Sequence, residues 1–371
     1  MRGRAHQRGG GPPATAARRA VGLLRSMVEI PSPSAGEGRL ARFLAGELPG
    51  LGFATRTDRA GNLIAETGLA GGPAVMLLGH MDTIPGTVPV RLERDRLYGR
   101  GAVDAKGPLA AMICAAAACA RLPARLTVVG AVEEETPRSR GAVHLLGTTA
   151  PPDLLIIGEP SGWASVVIGY KGKLDLEYRV RRPATHPSNP ASKATEAAVA
   201  FWGDLLDLLG PERDHGAFAR PAATLRHMAG SMEEATLAVD CRLPPGFDAR
   251  GLVESLRAPA RARGGEVRVV NAVGAVLAGR SNPVARSLSA GIRRHGGLPV
   301  PKVKTATSDM NTVAERWQAP MAAYGPGDSA LDHADDEHVE IEEYLSAISV
   351  LATALEELAS EPVSQQEAVA P

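Results

Sequence analysis

The chain has 371 residues, enough for two domains with cores of their own. At 44% apolar and 22% charged it has the composition of an ordinary soluble globular protein. Its 41 basic and 41 acidic residues cancel, so neither nucleic acid nor an anionic membrane is expected as a partner.

Residues 1–20 are rich in Arg and Gly, and no apolar core follows them. They lack the pattern of a secretory signal and are expected to be a disordered leader. A helix is expected over residues 21–29 and another over 36–48, where Leu40, Phe43 and Leu44 share a stripe. Residues 63–66 and 74–78 read as strands. Gly107-Pro108 opens an Ala-rich helix running to residue 121, because Pro suits the first helical position and Ala is the best helix former. The uninterrupted apolar runs at 125–132 and 153–157 read as strands buried on both faces.

The period then changes. Leu174, Leu176, Tyr178 and Val180 alternate with Lys173, Asp175, Glu177, Arg179 and Arg181, which predicts a strand with one wet face. A helix (193–209), two strands (222–228 and 235–243), a helix (248–263) and a strand (266–271) follow. The order βαββαβ is that of the ferredoxin-like unit. After Gly279 the first pattern returns, with a helix (282–295), a strand (302–305), a helix (309–317), a strand (320–324) and a closing helix (341–358). The expected fold class is α/β: a mixed-sheet domain of residues 21–168 and 276–360, an inserted ferredoxin-like domain of residues 169–275, and a flexible polar tail, 361–371.

Cys114, Cys119 and Cys241 form no Cys-x-x-Cys pair, which argues against a disulfide framework or a thiolate metal site and for a reducing compartment. No apolar stretch approaches the ~20 residues of a membrane span. Nucleophile-elbow, His-Glu-x-x-His, P-loop and complete dinucleotide-binding motifs are all missing, which disfavours those enzyme classes.

Chemistry gathers where the apolar runs end. Residues 74–78 lead to His80 and Asp82, residues 97–101 to Asp104, residues 126–129 to Glu133-Glu134-Glu135, and residues 154–157 to Glu159. His333 follows residues 321–324 and a Gly-Pro-Gly-Asp turn. Sites in open α/β sheets lie at the carboxyl ends of strands, so these residues can converge. His and carboxylate ligands together suit a divalent metal. In His80-Met81-Asp82 the carboxylate can accept the second imidazole N–H, fixing the tautomer. Each feature alone is also compatible with a charged surface loop or a structural turn; their shared position after strands favours one site.

In order, Gly79-His80-Met81-Asp82, the Gly99–Gly107 stretch around Asp104, Glu133-Glu134-Glu135, Gly158-Glu159-Pro160 and His333-Ala334-Asp335-Asp336-Glu337 resemble the motifs of one metallopeptidase family. This is the co-catalytic di-metal aminoacylase/carboxypeptidase family that includes acetylornithine deacetylase and succinyl-diaminopimelate desuccinylase. The resemblance spans nearly the whole chain. It implies two divalent ions, Zn²⁺ with Co²⁺ as the alternative. His80 and Glu159 would be terminal ligands of one ion, Asp104 the bridge, and Glu135 and His333 ligands of the other. Glu134 would be the general base and Asp82 the partner of His80. The Asp104-Ala105 peptide would be cis.

A one-residue shift within Glu133-Glu134-Glu135 would exchange base and ligand. The inserted domain would be a lid and dimerisation domain, and its His186 would stabilise an oxyanion, in many members from the other subunit of a homodimer. The family's usual Gly before that motif is replaced here by Arg182-Pro183, and a surface-loop histidine is the alternative. Arg242 would bind a substrate carboxylate, or else pair with an acidic neighbour; Lys304 would contact the carboxylate or a carrier.

The segments 304–311 and 324–333 are similar to the branch that hydrolyses lysine or ornithine conjugates of a small acidic amino-group carrier protein. That resemblance implies a cytoplasmic enzyme of lysine or arginine biosynthesis. Alternatives are a deacetylase of N-acetyl-lysine or N-acetyl-ornithine or a dipeptidase of the same family, and, more remotely, a non-catalytic metal-binding scaffold.

Overall fold

The computed structural model describes residues 13–360. Residues 1–12 of the expected leader and the expected tail, 361–371, lie outside the described residues. The chain forms two compact units: one of the residues up to Ile168, Ala278–Lys302 and those from Thr312 onward, the other of Gly169–Leu277 with Val303–Asn311.

The first unit is built on a mixed sheet. Its strands lie in the order Ala54–Thr57, Leu63–Gly68, Arg125–Ala131, Ala74–His80, Leu154–Ile157, Met321–Ala323, Ser165–Tyr170. Ala74–His80 sits centrally and is parallel to both neighbours. Val75 to Leu78 are buried, which is why their sequence is uninterruptedly apolar. Each fully buried Leu there contributes about 1.5–3 kcal/mol relative to exposure. The Ala-rich helix, Lys106–Ala118, is buried along most of its length and packs against Ala74–His80, Arg125–Ala131, Ala14–Val28 and Ile341–Ser360. Its alanines keep the helix narrow enough to be surrounded.

The second unit is a four-stranded antiparallel sheet in the order Ala222–Gly230, Glu234–Leu243, Gly172–Arg181, Gly265–Val273. With the helices Ala194–Leu209 and Ala249–Ala262 it has the βαββαβ order of the ferredoxin-like fold. Leu174, Leu176, Tyr178 and Val180 are buried against the helices, and Tyr178 stacks on Phe201 with ring centroids 4.0 Å apart.

Several details differ from the sequence reading. The first helix is Ala14–Val28, so residues 14–20 are helical rather than part of a disordered leader. Pro13 precedes a run of good helix formers, and Ala20 is buried. The helix expected over 309–317 is only Asp309–Ala314. The segment Val303–Asn311 groups with the second unit, where Asn311 Nδ2 donates to the Lys171 and Gly274 carbonyls at 3.0 and 2.8 Å. A small sheet of Arg91–Glu93, Arg96–Tyr98 and His338–Glu340 carries no long apolar run and was invisible to periodicity. Among the described residues, no helix is long and apolar enough to cross a membrane.

Candidate metal centre

Strand register aligns the candidate residues. His80 is paired with Ala131, and Leu78 with Ile157. The loop bearing Glu133, Glu134 and Glu135 therefore leaves the sheet beside His80. Carried two residues on, the second register sets Glu159 level with His80. Gly158 makes this close approach possible: a Cβ there would lie 2.9 Å from the Met112 sulfur and 3.2 Å from the Gly79 Cα. Asp104 precedes the buried helix, in a tight turn where Gly101 has φ +87° and no room for a side chain against Lys106 and Thr83. His333 follows the short strand Met321–Ala323 and has φ +64°. That conformation costs a non-glycine residue on the order of 1–2 kcal/mol.

The side chains meet. Asp104 Oδ1 lies 3.2 Å from His80 Nε2, and Asp104 Oδ2 lies 3.3 Å from His333 Nε2. Glu135 Oε1 is 2.9 Å from the same His333 nitrogen. One carboxylate thus faces two imidazoles with its two oxygens. Ligand atoms of Asp104, Glu135 and His333 all lie within 4.8 Å of one another. The Asp104-Ala105 peptide is cis.

Asp82 is fully buried behind this group. His80 Nδ1 is 3.0 Å from the Asp82 carbonyl oxygen and 3.4 Å from its Oδ1. The carboxylate also accepts from the Glu134 and Glu135 backbone N–H groups at 3.0 and 3.1 Å, and from Ser34 Oγ at 2.8 Å. Asp82 therefore holds both the imidazole and the start of the acidic loop. Glu133 turns away: it pairs with Arg140 Nε at 2.7 Å, and its N–H donates to the buried Glu37 at 3.0 Å. Glu134 is half-buried and Glu159 buried; the charge of Glu134 acts on His80.

The electrostatics are those of carboxylates crowded around positive charge. Burial opposes charge on His80, but Asp104, Asp82 and Glu134 outweigh it, and the imidazole is held well above its ordinary range. Asp104 and Glu135 raise His333 to about 10. Burial pushes Glu135 up, while Asp104 is depressed because the two imidazoles outweigh its desolvation. The protonated imidazoles compensate the carboxylates. A divalent cation does so more directly, and two imidazoles sharing one carboxylate, with further acids alongside, are a donor set that fits such ions.

The remaining candidates lie in the second unit. His186 is exposed in the loop after Gly172–Arg181, with Nδ1 2.7 Å from Ser188 Oγ. Arg242 closes Glu234–Leu243, and its guanidinium is gripped by Asp240 at 2.8 and 3.2 Å. Its third nitrogen donates to Thr307 Oγ1 at 3.1 Å, within the segment that begins at Lys304. The acidic neighbour considered from the sequence is thus present, and it orients the fork.

Sequence reasoning missed Glu37 and assigned no role to Glu337, both buried carboxylates that accept from backbone amides of the site loops. Both lie in loops, where no period marks a buried acid.

A mixed α/β sheet bearing histidines and carboxylates at one strand edge, together with a ferredoxin-like unit, defines a metal-dependent hydrolase. The chain belongs to peptidase family M20/M25/M40, whose model matches residues 76–357. It is 39% identical to the "[LysW]-lysine hydrolase" of Deinococcus radiodurans, over 94% of this chain and 98% of that one. It is 28% identical to the "[LysW]-lysine/[LysW]-ornithine hydrolase" of Saccharolobus islandicus, over 76% and 81%. In fold it is similar to a metallo-carboxypeptidase of Sulfolobus solfataricus, with TM-score 0.77 and 18% identity over 92% of this chain and 99% of that one. It is also similar to a dinuclear metal-binding M20 peptidase of Bacillus subtilis, with TM-score 0.69 and 14% identity over 94% and 98%.

Proposed function

We propose that this chain is a two-metal amidohydrolase that releases lysine, ornithine or both from a small acidic amino-group carrier protein, within lysine or arginine biosynthesis. The observation that carries this reading is the 39% identity to a carrier-lysine hydrolase across 94% of the chain. The convergence of His80, Asp104, Glu135 and His333 supports the chemistry.

In this reading His80, Asp104, Glu135, Glu159 and His333 would hold two divalent ions, Zn²⁺ or alternatively Co²⁺, with Asp104 as the shared ligand. When bound, the ions supply Lewis acidity that makes water more acidic and polarises the amide carbonyl. Glu134 takes the proton from the attacking water and later delivers it to the leaving α-amine. Asp82 keeps the His80 ring in one tautomer and one orientation. His186 donates a hydrogen bond to the developing oxyanion, and the chain forms a homodimer. Arg242, braced by Asp240, receives the carboxylate of the released amino acid, and Lys304 contacts that carboxylate or the carrier. The location is cytoplasmic, in keeping with three free cysteines; burial pushes Cys119 and Cys241 up to about 12.

The test is a paired assay. Zinc-loaded enzyme is given a carrier protein bearing lysine on its C-terminal glutamyl side chain and, separately, N-acetyl-lysine. Loss of the lysyl mass from the carrier, with slow turnover of the acetyl compound, is expected. Efficient deacetylation with an untouched conjugate would remove the carrier from the reading.

A further inference from the structure

The Glu337 carboxylate, just before the strand His338–Glu340, is 1% exposed. Its Oε1 accepts from three backbone N–H groups of one turn, those of Gly101, Val103 and Asp104, at 3.0, 2.9 and 3.1 Å. Its Oε2 accepts from Arg100 Nη1 at 2.8 Å. Its carbonyl oxygen accepts from Gly99 N–H at 3.1 Å. That last bond continues the antiparallel ladder in which His338 is paired with Tyr98. A buried carboxylate cradled by backbone N–H groups is an anion nest, here filled by the protein's own side chain.

The placement matters because of what the two segments carry. Glu337 lies a few residues beyond His333 and binds the backbone of Asp104 itself. Asp104 and His333 come within 3.3 Å of each other, from loops far apart in the chain. The turn has Gly101 at φ +87° and seats Ala102 and Val103 in the core, but three of its backbone N–H groups point to the Glu337 carboxylate. The carboxylate thereby constrains the turn.

We infer that Glu337 is a positioning residue of the metal centre: by gripping the Asp104 turn it sets the bridging carboxylate at the correct height between His80 and His333. This rests on the reading of those three residues as metal ligands. Glu337 touches neither metal nor substrate in this role. Its effect is carried by backbone geometry, so reach matters more than charge. Glu337→Gln keeps the reach and an accepting oxygen. Glu337→Asp keeps the charge but withdraws it by one methylene from three N–H groups.

The experiment measures Zn²⁺ and Co²⁺ affinity by equilibrium titration, the visible absorption of the Co²⁺ form, and the thermal midpoint of the metal-free protein. The wild type should bind two ions per chain; if it binds none, the ligand reading fails before Glu337 is tested. Loss of a supporting contact at a metal site typically costs roughly 10–100-fold in affinity. Glu337→Gln is expected at the low end of that range, and Glu337→Asp lower still in affinity, with an altered Co²⁺ spectrum. Glu340→Gln is the control, since Glu340, at the end of the strand that follows Glu337, makes a surface pair with Arg96 at 2.7 Å. It should leave affinity and spectrum unchanged. Wild-type affinity and spectrum in both Glu337 variants, with only the thermal midpoint lowered, would overturn the proposal. The reverse order, Gln worse than Asp, would also overturn it, because charge rather than reach would then govern. If the Asp variant does not fold, the Gln variant against wild type decides.

Discussion

Glu135 Oε1 and His333 Nε2 stand 2.9 Å apart, while Glu133, two residues earlier, is held by Arg140 at 2.7 Å. The three consecutive glutamates are therefore not equivalent. Glu133 has φ +56°, and the next two residues, Glu134 and Glu135, donate their N–H groups to Asp82. Of the three, Glu135 is the one whose carboxylate lies beside His333, which supports the proposed reading of it as the ligand.

The first prediction follows directly. Glu135→Gln should weaken metal binding by at least the roughly 10–100-fold that loss of a supporting contact costs at such a site. Glu133→Gln should retain both ions and lose only a surface ion pair. Metal content after dialysis separates them; equal loss in both variants contradicts that reading.

Glu134→Gln should keep its metal and fold but lose turnover by about 10²–10⁴-fold, the usual contribution of a positioned general base. Zinc stoichiometry and kcat are the measurements. A variant with near-normal kcat would remove Glu134 from proton transfer.

Chelation should abolish hydrolysis, and Zn²⁺ or Co²⁺ should restore it. The metal-free protein should also show a distinct pH dependence. His80 and His333 are raised above the ordinary histidine range, so the folded state holds protons that the unfolded chain has lost above about 6.5. Their contribution is complete below that pH and fades as pH rises toward about 10. Between pH 7 and 8, before Lys106, pulled down by burial to about 8, takes over, the apo midpoint should fall. The metal-loaded protein should not follow it, since bound ions replace the protons. A rising apo midpoint across that interval would contradict the electrostatic picture.

Arg242→Ala should reduce kcat/KM for carboxylate substrates by roughly 10–100-fold, as expected for a charged hydrogen-bond pair. Asp240→Asn, which leaves the guanidinium but loosens its double grip, should show a smaller loss of the same kind. Unchanged kinetics in the Ala variant would leave Arg242 as a structural residue only.

Much of the architecture was legible because buried strands and amphipathic strands have different periods. Val75 to Leu78 had to be apolar on both faces, and Leu174 to Val180 on one. Those two signatures separated the two sheets, and the ends of the buried apolar runs pointed to His80, the Glu133-Glu134-Glu135 run and Glu159. The short strands Arg91–Glu93 and His338–Glu340 left no such trace, having too few residues to show a period. Residues 14–20 are helical despite an Arg-rich composition, because Ala and Arg are both good helix formers.

The sequence by itself determined the inventory: which acids and imidazoles follow strands, in what order, and hence the family they resemble. Only the tertiary structure decided which glutamate faces His333, that Asp104 presents one oxygen to each imidazole, and that Glu337 and Asp82 grip the loops from behind. The reason is physical. Strand and helix patterns are local, set by neighbours a few residues away. Hydrogen bonds from a buried carboxylate to backbone amides join segments distant in sequence, and every residue has the same amide to offer.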